Sequence, residues 1–368
     1  MNIRRGYVVG AGLIAALAAL TGVAIWRTSG SELRVWQLRP WGIMGTQAEL
    51  KAVAPASQQD AADKALADAE AALRRVEMLM SRRIDTSELS RFNASEAGQF
   101  VPLSEETLEV LRASRKAWQE SRGAFDVTCL PIMAAWEEAG KAGKAPDAAR
   151  LAAARRQSSW DDIEVQDRGA VKKKDSARVD LGGIAKGFGI DKAVEAMMKT
   201  GVCGGQVDVG GDIRCFGRPA MGQYWPVDVR SPFGEGAWAT LNLGDAAVCT
   251  SGHRERRSRI NGEWYSHIVD PRSGARAYMA LPANSAPPSV TVVAPTATVA
   301  DAWATALSVL GPEGLKLLPK NSRIEAMVVT GTPGECKLYM TKGFDKLLAE
   351  KPKAGQIIVA DDGRPQGR

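Results

Sequence analysis

The sequence predicts an α+β fold, in which helices are intermixed with mostly antiparallel strands and flank them. Its 368 residues suffice for one large domain or two closely packed ones. Its composition is typical of a globular protein, with 45% hydrophobic and 24% charged residues. Strand-like and helical segments do not alternate regularly along the chain, and this favours α+β over a doubly wound parallel sheet.

The first 30 residues are predicted to be an export signal or an N-terminal membrane anchor. Arg4 and Arg5 precede an uncharged apolar run at residues 6–26, which is the arrangement of a signal sequence. The arginine pair also resembles a twin-arginine signal. The run has 21 residues, enough to span a bilayer as a helix, and no convincing small-x-small cleavage site follows it. We therefore expect an exported, periplasmic protein, and both cleavage and anchoring in the inner membrane stay open.

In the first half of the chain, periodicity and capping residues predict two helices. Apolar residues at helical spacing indicate a long helix over residues 54–80. Ser104 and Thr107 open a second helix that ends near Ser121. The polar segment 81–100 is predicted to be a loop. The remaining predictions here are a strand with a tight turn at residues 31–50 and an exposed helical insertion at residues 137–156.

The second half is predicted to contain most of the strands. Residues 160–180 alternate as in a hairpin, and residues 184–200 are expected to form a helix. Another helix at residues 298–310 stops at Gly311, which is followed by proline. The other strands are predicted at residues 206–217, 224–230, 237–248, 259–268, 289–293, 326–330 and 336–340.

Composition does not indicate a nucleic-acid partner. Half of the net charge of +6 comes from Arg4, Arg5 and Arg27 in the first 30 residues, which hold no acidic residue. The remainder is therefore close to electrically balanced, and no basic stripe is interleaved with aromatic residues. The lysines at residues 172–174 are predicted to lie in a solvated strand edge or turn.

The five cysteines form no CxxC pair, which argues against a structural zinc site. Cys129 and Cys249 lie in apolar, strand-like contexts and are predicted to be small buried side chains. Export would permit a disulfide, and Cys203 with Cys215 is the pair considered for one.

A glycine-rich segment, DLGGIAKG at residues 180–187, lies where a predicted strand meets a predicted helix. Glycines let backbone N–H groups approach an anion, the helix N-terminus adds positive potential, and Lys186 could add a charge. The segment matches neither the Walker A nor the GxGxxG pattern. From spacing alone, a phosphate site and a tight turn with a solvated lysine stay equally open.

Three other residues are candidates for chemistry. His267, one of two histidines with His253, lies at a predicted strand end before a PRSG turn. It could act as a general base or bond a backbone carbonyl in a structural role. Asp301 and Thr305 share one helix face, where their oxygens could bind a hard cation such as Mg²⁺. Alternatively, Asp301 interacts with the helix dipole and Thr305 faces the core.

Together, these segments resemble the ApbE family, the FAD:protein FMN transferases. The resemblance covers about residues 40–312, in the order of the family's motifs. The matching segments are GIMGT at 42–46, MS at 80–81, SELSRFN at 87–93, GAFDVT at 123–128, DLGGIAKG at 180–187 with Asp191, DVGGD at 208–212, TSG at 250–252, HIVDP at 267–271 with Gly274, SVTV at 289–292 and ADAWAT at 300–305.

The resemblance implies two intimately packed lobes over residues 31–345, with FAD in the cleft between them. A polar C-terminal tail follows at residues 346–368, and we expect it to be frayed from Lys351. The family's pattern implies that Met44 packs on the flavin, and Arg83 stands where many relatives have an aromatic residue. The other implied FAD contacts are Ala124, Phe125, Asp126, Asp180, Lys186 and Ile268. The implied Mg²⁺ ligands are Asp301, Thr305 and a backbone oxygen of Gly183.

The implied reaction is Mg²⁺-dependent transfer of FMN from FAD to a threonine of a target protein, with release of AMP and with His267 as the base. The export signal without a lipid-anchoring cysteine resembles the NosX-like branch. That branch accompanies nitrous oxide respiration and flavinylates a membrane-bound electron-transfer partner, while quinone-reducing sodium pumps are alternative clients. The other hypotheses are an FAD pyrophosphatase, a non-catalytic FAD-binding or delivery protein, and a scaffold without ligand.

Overall fold

The computed structural model describes residues 32–252, 257–261, 263–276, 289–332, 334–352 and 354–360. The predicted export signal and His253 lie outside these residues. Among the described helices, none is both long enough and apolar enough to cross a membrane.

The helices begin where the sequence supplies capping residues. Ser87, Ser104, Asp147 and Thr296 each accept a hydrogen bond from a backbone N–H in the first turn of the helix that follows. The helices are α1 (Gln59–Met80), α2 (Glu88–Ala94), α3 (Glu105–Glu120), α4 (Leu130–Ala142), α5 (Ala148–Arg156), α6 (Ala185–Met198), α7 (Ala297–Leu310) and α8 (Lys342–Leu347).

One large sheet of nine strands dominates the structure, in the order β1-β2-β6-β7-β10-β13-β14-β15-β17. Its strand pairs are antiparallel, apart from the parallel pair of β15 with β17. These strands are β1 (Leu33–Leu38), β2 (Ala48–Pro55), β6 (Gly204–Val209), β7 (Asp212–Gly217), β10 (Ala246–Gly252), β13 (Ser289–Ala294), β14 (Glu325–Gly331), β15 (Cys336–Met340) and β17 (Gln356–Val359).

Smaller sheets flank the large one. They have the orders β16-β9-β8, β3-β5-β4 and β11-β12. Their strands are β3 (Phe100–Pro102), β4 (Ile163–Gln166), β5 (Gly169–Lys172), β8 (Trp225–Arg230), β9 (Ala237–Leu243), β11 (Arg257–Ile260), β12 (Glu263–Ser266) and β16 (Leu348–Glu350).

Alternating side chains give the large sheet two apolar faces. On β14, Ala326 and Val328 belong to the core that includes α1, α6 and α7. The neighbouring Met327 and Val329 belong to a second core, formed with β8, β9 and α8 on the opposite face. The sheet is therefore covered on both sides, and we call it and its covering layers the main lobe.

A third apolar cluster defines a small lobe, made of α4, α5, β11 and β12. The guanidinium of Arg276 lies 4.9 Å from the ring centroid of Trp136 and 5.9 Å from that of Tyr265. This cation–π contact links α4 to the segment that follows β12. The α+β prediction is confirmed.

Two element predictions are wrong in the first half of the chain. The helix expected over residues 54–80 begins only at Gln59, because Ala54 and Pro55 belong to β2 and pair with β1. The predicted loop at residues 81–100 contains α2. Its amphipathic pattern is only two turns long, with Leu89 and Phe92 buried.

Two expectations about exposure and pairing are also wrong. Lys172 is fully buried and donates from Nζ to the backbone oxygen of Asn93 at 3.0 Å. Burial lowers its pKa to about 8. Residues Gln356–Val359, expected in a frayed tail, pair with β15. Cys203 and Cys215 form no disulfide, since all five cysteines are free, while Cys129 and Cys249 are buried as predicted.

Candidate active site

A cavity of about 480 Å³ lies between the main lobe and the small lobe. Its wall combines the end of α1, the glycine-rich segment and α7 with the start of α4 and the segment after β12. All residues predicted from sequence to bind FAD or Mg²⁺ or to act as base line it: Met44, Arg83, Ala124, Phe125, Asp126, Asp180, Gly183, Lys186, His267, Ile268, Asp301 and Thr305.

The glycine-rich segment is held in a tight turn before α6. The Asp180 carboxylate accepts a hydrogen bond from the Gly182 N–H at 2.7 Å, and the Asp180 N–H donates to the Val127 carbonyl at 2.8 Å. A Cβ at position 183 would lie 3.1 Å from Thr305 Oγ1 and 3.3 Å from the Phe125 ring. Glycine at 183 therefore lets this backbone lie directly against α7.

Asn93 fixes the start of this segment, a role that sequence reasoning missed although Asn93 closes the SELSRFN motif. Its Nδ2 donates to the Val179 carbonyl at 2.8 Å, and its Oδ1 accepts from the Val179 N–H at 2.8 Å. The buried Lys172 ammonium bonds the Asn93 carbonyl. The amide of Asn93 thus acts as a backbone-like clamp on the residue before Asp180.

A buried ion pair lies at the inner end of the cavity. Lys186 Nζ lies 2.6 Å from Asp212 Oδ2, and Asp212 Oδ1 accepts from the Thr250 N–H at 3.0 Å. Burial opposes the charge on Lys186, but Asp212 and Asp301 outweigh it and raise the pKa of Lys186 above its usual value. Lys186 is thus kept cationic in a largely buried position.

Asp301 lies close to this pair on α7. Burial, with a contribution from Asp212, raises its pKa to about 7, while Lys186 and a hydrogen bond from the Gly187 N–H act in the opposite direction. That bond measures 3.0 Å to Oδ2. A Cβ at position 187 would lie 2.2 Å from the Ala297 carbonyl oxygen, so α6 and α7 touch here with no room for a methyl group.

The start of α7 is secured by Asp191 of α6. Its carboxylate accepts from the N–H groups of Ala297 and Thr298, each at 2.8 Å, and forms an ion pair with Arg214 at 2.7 Å. The Asp191 carboxylate thus provides acceptors for the first backbone N–H groups of α7, which have no partner within the helix. These bonds also set the position of Asp301, one turn further along, and of Thr305, two turns along.

The oxygens gathered here suit a hard cation. A Cβ at position 183 would lie 3.1 Å from Thr305 Oγ1, and Asp301 contributes a buried carboxylate on the same helix face as Thr305. In the part of the chain that the structure describes, no group of three or more His, Cys, Asp and Glu side chains could hold a metal. One carboxylate with a hydroxyl and a carbonyl fits Mg²⁺, which keeps waters and phosphate oxygens as its other ligands.

His267 is exposed on the small-lobe side, in the segment after β12. The segment is fixed around it: the Ile268 N–H donates to Ser266 Oγ at 3.1 Å, and the Asp270 N–H donates to the Ala275 carbonyl at 2.7 Å. Trp136 Nε1 of α4 donates to the Gly274 carbonyl at 2.9 Å. His267 is therefore carried by an ordered turn on the cavity wall.

Met44 enters the cavity from the main lobe. It has a φ of 50°, which is rare for a residue with a side chain. The turn is closed by the Thr46 N–H, which donates to the Ile43 carbonyl at 2.9 Å. A Cβ at position 189 would lie 3.3 Å from Met44 Sδ, so glycine at 189 makes space for the thioether on α6.

Arg82 is a cavity residue that sequence reasoning missed. Its Nε lies 2.6 Å from Asp180 Oδ2, and its Nη2 lies 2.8 Å from Glu137 Oε1 of α4. It thereby connects the glycine-rich segment with the small lobe. Its neighbour Arg83 is exposed at the cavity rim. Only the adjacent MS motif at residues 80–81 could have drawn attention to Arg82, because its partners are distant in sequence.

Comparison with known proteins now decides the family. The ApbE family model matches residues 44–328. The chain belongs to the ApbE family. A relative from Vibrio cholerae, named FAD:protein FMN transferase, is 29% identical over 275 residues, which are 74% of this chain and 80% of that protein. A relative of the same name from Haemophilus influenzae is 28% identical over 325 residues, 84% of this chain and 90% of that protein.

Solved ApbE structures have the same fold. The flavin transferase ApbE from Vibrio cholerae superposes with a TM-score of 0.71 at 26% identity, over 86% of this chain and all of that chain (100%). The ApbE protein from Thermotoga maritima gives a TM-score of 0.72 at 25% identity, with 86% and 100% coverage. The resemblance drawn from sequence motifs is confirmed.

Proposed function

We propose that this ApbE-family enzyme, an FAD:protein FMN transferase, works with Mg²⁺, attaches FMN to a threonine side chain of its target protein and releases AMP. The observation that carries the proposal is the meeting of Asp301, Thr305 and Gly183 in the same cavity as Lys186 and His267. Oxygen ligands for a hard cation and a fixed ammonium are what a diphosphate substrate requires. The names of the relatives support the transferase assignment.

FAD would be bound by groups from both lobes. The thioether of Met44 and the ring of Phe125 offer apolar surfaces for the flavin and adenine ends. The N–H groups of the glycine-rich segment and the Lys186 ammonium lie near the ion ligands and suit the diphosphate. When bound by Asp301, Thr305 and Gly183, Mg²⁺ would neutralise diphosphate charge that otherwise repels a nucleophile.

His267 is the proposed base. It would take the proton of the threonine hydroxyl as the hydroxyl oxygen attacks the phosphorus on the FMN side of the diphosphate. The bond from that phosphorus to the bridging oxygen breaks, and AMP leaves with the oxygen. FMN is then joined to threonine through a phosphoester. A threonine hydroxyl is a weak nucleophile at neutral pH, and a positioned base contributes about 10²–10⁴-fold.

We also propose that the enzyme acts in the periplasm on a membrane-bound electron-transfer subunit, as in the NosX-like branch of nitrous oxide respiration. The arginine pair Arg4 and Arg5 before an apolar run supports export. The run could also hold the enzyme beside such a client, at the inner membrane.

The test uses the full-length protein, purified in mild detergent. It is incubated with FAD, Mg²⁺ and candidate redox subunits, and the products are separated on denaturing gels read by flavin fluorescence. We expect a fluorescent client band that disappears with EDTA and when the client threonine is replaced by valine. FMN and AMP without a labelled client would instead identify an FAD pyrophosphatase, and intact FAD would identify a binding or delivery protein.

A further inference from the structure

A second cavity, of about 510 Å³, adjoins the first. Asp126 and Pro271 line both cavities, so the turn that carries His267 forms part of their common wall. We call the second one the arginine cavity, because Arg122 and Arg272 line it beside Trp118. It lies alongside the proposed base and outside the predicted FAD contacts, apart from Asp126.

The lining of the arginine cavity carries two guanidiniums, Arg122 and Arg272, and one carboxylate, Asp126. Arg122 is exposed in this lining, and Arg155 and Arg156 are exposed just before Ser158, which also lines the cavity. None of these three arginines forms an ion pair with a residue that the structure describes. Arg155 packs on the turn after His267, since a Cβ at Gly274 would lie 3.0 Å from Arg155 Cδ. Only Arg272 is paired, with Asp270 at 2.9 Å.

The backbone holds two of these groups in place. Arg122 has a φ of 55° and Gly123 a φ of 80°, at the turn that ends α3. The turn is closed by the Gly123 N–H, which donates to the Trp118 carbonyl at 2.8 Å. A Cβ at position 123 would lie 3.6 Å from both Arg272 Cγ and Trp118 Nε1, so Arg272 and the indole flank this turn. The backbone of Arg122 and the side chain of Arg272 thus lie on an ordered wall.

We propose that the arginine cavity binds an acidic stretch of the flavin-accepting polypeptide, adjacent to the threonine that receives FMN. This rests on the proposed function. A threonine that reaches His267 belongs to a chain that must leave the active cavity along one of its walls, and the wall shared with the arginine cavity is the one that carries His267. Unpaired guanidiniums there match carboxylates, which they bind through paired N–H donors. The Trp118 indole offers an apolar surface for intervening side chains.

The test measures binding rather than transfer. Two labelled peptides of about 20 residues share a central threonine, and their flanks carry either aspartates or asparagines at the same positions; charge pairing should favour the aspartate peptide about tenfold at low salt. Fluorescence anisotropy is recorded with full-length enzyme, FAD and EDTA, so that no FMN is transferred. We expect the preference for the aspartate peptide to fall as salt rises.

Charge reversal locates the binding surface. Arg122→Glu with Arg156→Glu should abolish the preference for aspartate. Lys320→Glu with Arg323→Glu makes the same change of charge at exposed residues that line neither cavity, and should leave the preference intact. Should the first pair fail to fold, Arg156→Gln alone is expected to reduce the preference, because Arg156 lies exposed in the last turn of α5.

Three results would overturn the proposal: equal affinity for both peptides, no binding of either, or a preference that survives in the Arg122→Glu/Arg156→Glu variant. A fourth is that vesicles of phosphatidylserine and phosphatidylcholine bind through these arginines while the peptides do not, which would make the surface a membrane contact. Failure of the proposed function would give a different result. The wild-type enzyme would label no client, while peptide binding would still depend on Arg122 and Arg156.

Discussion

At the scale of single residues, the site depends on two side chains that approach the substrate from opposite walls. Asp301 is buried on α7 beside Lys186 and Asp212, while His267 lies exposed on a turn of the small lobe. One is placed by helix packing and the other by a network of turn hydrogen bonds. Substituting them should therefore damage different steps.

Asp301→Asn keeps the size of the side chain and an oxygen that can accept from the Gly187 N–H, but removes the carboxylate proposed for Mg²⁺. We expect FMN transfer to fall by at least about 100-fold, since charge neutralisation at the diphosphate is lost. Thermal unfolding should change little. Transfer is measured over a Mg²⁺ titration, with exposed Asp167→Asn as the control. An unchanged Mg²⁺ dependence in Asp301→Asn would remove Asp301 from the ligand set.

His267→Ala should lose about 10²–10⁴-fold of transfer under single-turnover conditions. FAD affinity should persist, because Met44, the glycine-rich segment and Lys186 remain in place. His253→Ala is the matched variant, and we expect it to retain most activity. Near wild-type transfer by His267→Ala would mean that the hydroxyl is activated in another way and that His267 has a structural role.

Lys172 gives a prediction about pH. Its folded-state pKa, about 8, is below the ordinary value of 10.5. Between these values the unfolded chain binds more protons than the folded one, so the contribution of Lys172 to stability increases as pH rises from about 8 toward 10.5. We expect wild type to gain stability relative to Lys172→Met over this interval, in urea unfolding at several pH values. Parallel curves for the two proteins would contradict it.

At the scale of elements, α6 and α7 form the framework of the side of the site proposed to hold Mg²⁺. Asp191 on α6 binds the first turn of α7, and Gly187 on α6 bonds Asp301. The sequence revealed both helices and the residues on their faces. It did not reveal that Asp191 bridges them, because that contact joins positions 106 residues apart.

Asp191→Ala should destabilise the protein and loosen α7. Removing one partner of the buried pair with Arg214 leaves a guanidinium and two N–H groups unsatisfied, at a cost of about 3–5 kcal/mol. We expect a lower urea midpoint and a higher Mg²⁺ requirement for transfer. Asp228→Ala, which loses only an exposed bond to Thr240, should change stability by less than about 1 kcal/mol. Equal effects of the two substitutions would argue against the bridge.

The missed elements have physical reasons. Ala54 suits a helix as well as a strand, and only its pairing with Arg34 of β1 makes it part of β2. The helix α2 is short and mostly polar, so its two buried residues give almost no periodic signal. Lys172 and Arg82 look solvated in sequence, because their acceptors on Asn93 and Asp180 are supplied by remote segments.

At the scale of the whole molecule, the motifs were sufficient to predict which residues line the cavity. They did not predict the strand at the C-terminal edge of the large sheet. Each motif residue has a fixed place in a shared fold, so family resemblance brought distant residues together. The C-terminal segment carries no such motif, and polar residues on both sides hide the short apolar run at residues 357–359 of β17. That strand nevertheless pairs with β15 over four residues.

Deleting residues 351–368 should therefore destabilise the enzyme. β15 would become an edge strand with unpaired N–H and C=O groups, a known route to aggregation. Leu338 would also lose its contact with Gly355, where an added Cβ would approach within 2.1 Å. We expect a lower melting temperature and increased light scattering. Deleting residues 361–368 alone is the control, and equal melting of both truncated proteins would show that β17 contributes nothing.

The contact at Gly187 has a consequence for how the enzyme meets its substrate. The wall that offers N–H groups and the wall that offers ligand oxygens are joined by a hydrogen bond and by a contact that leaves no space for a methyl group. The distance between these two walls is therefore fixed by the packing of α6 against α7. The walls could not move to fit a molecule whose phosphates do not match this distance. Selection among dinucleotides would therefore depend on the rigidity of the cavity rather than on closure of the cavity around the substrate.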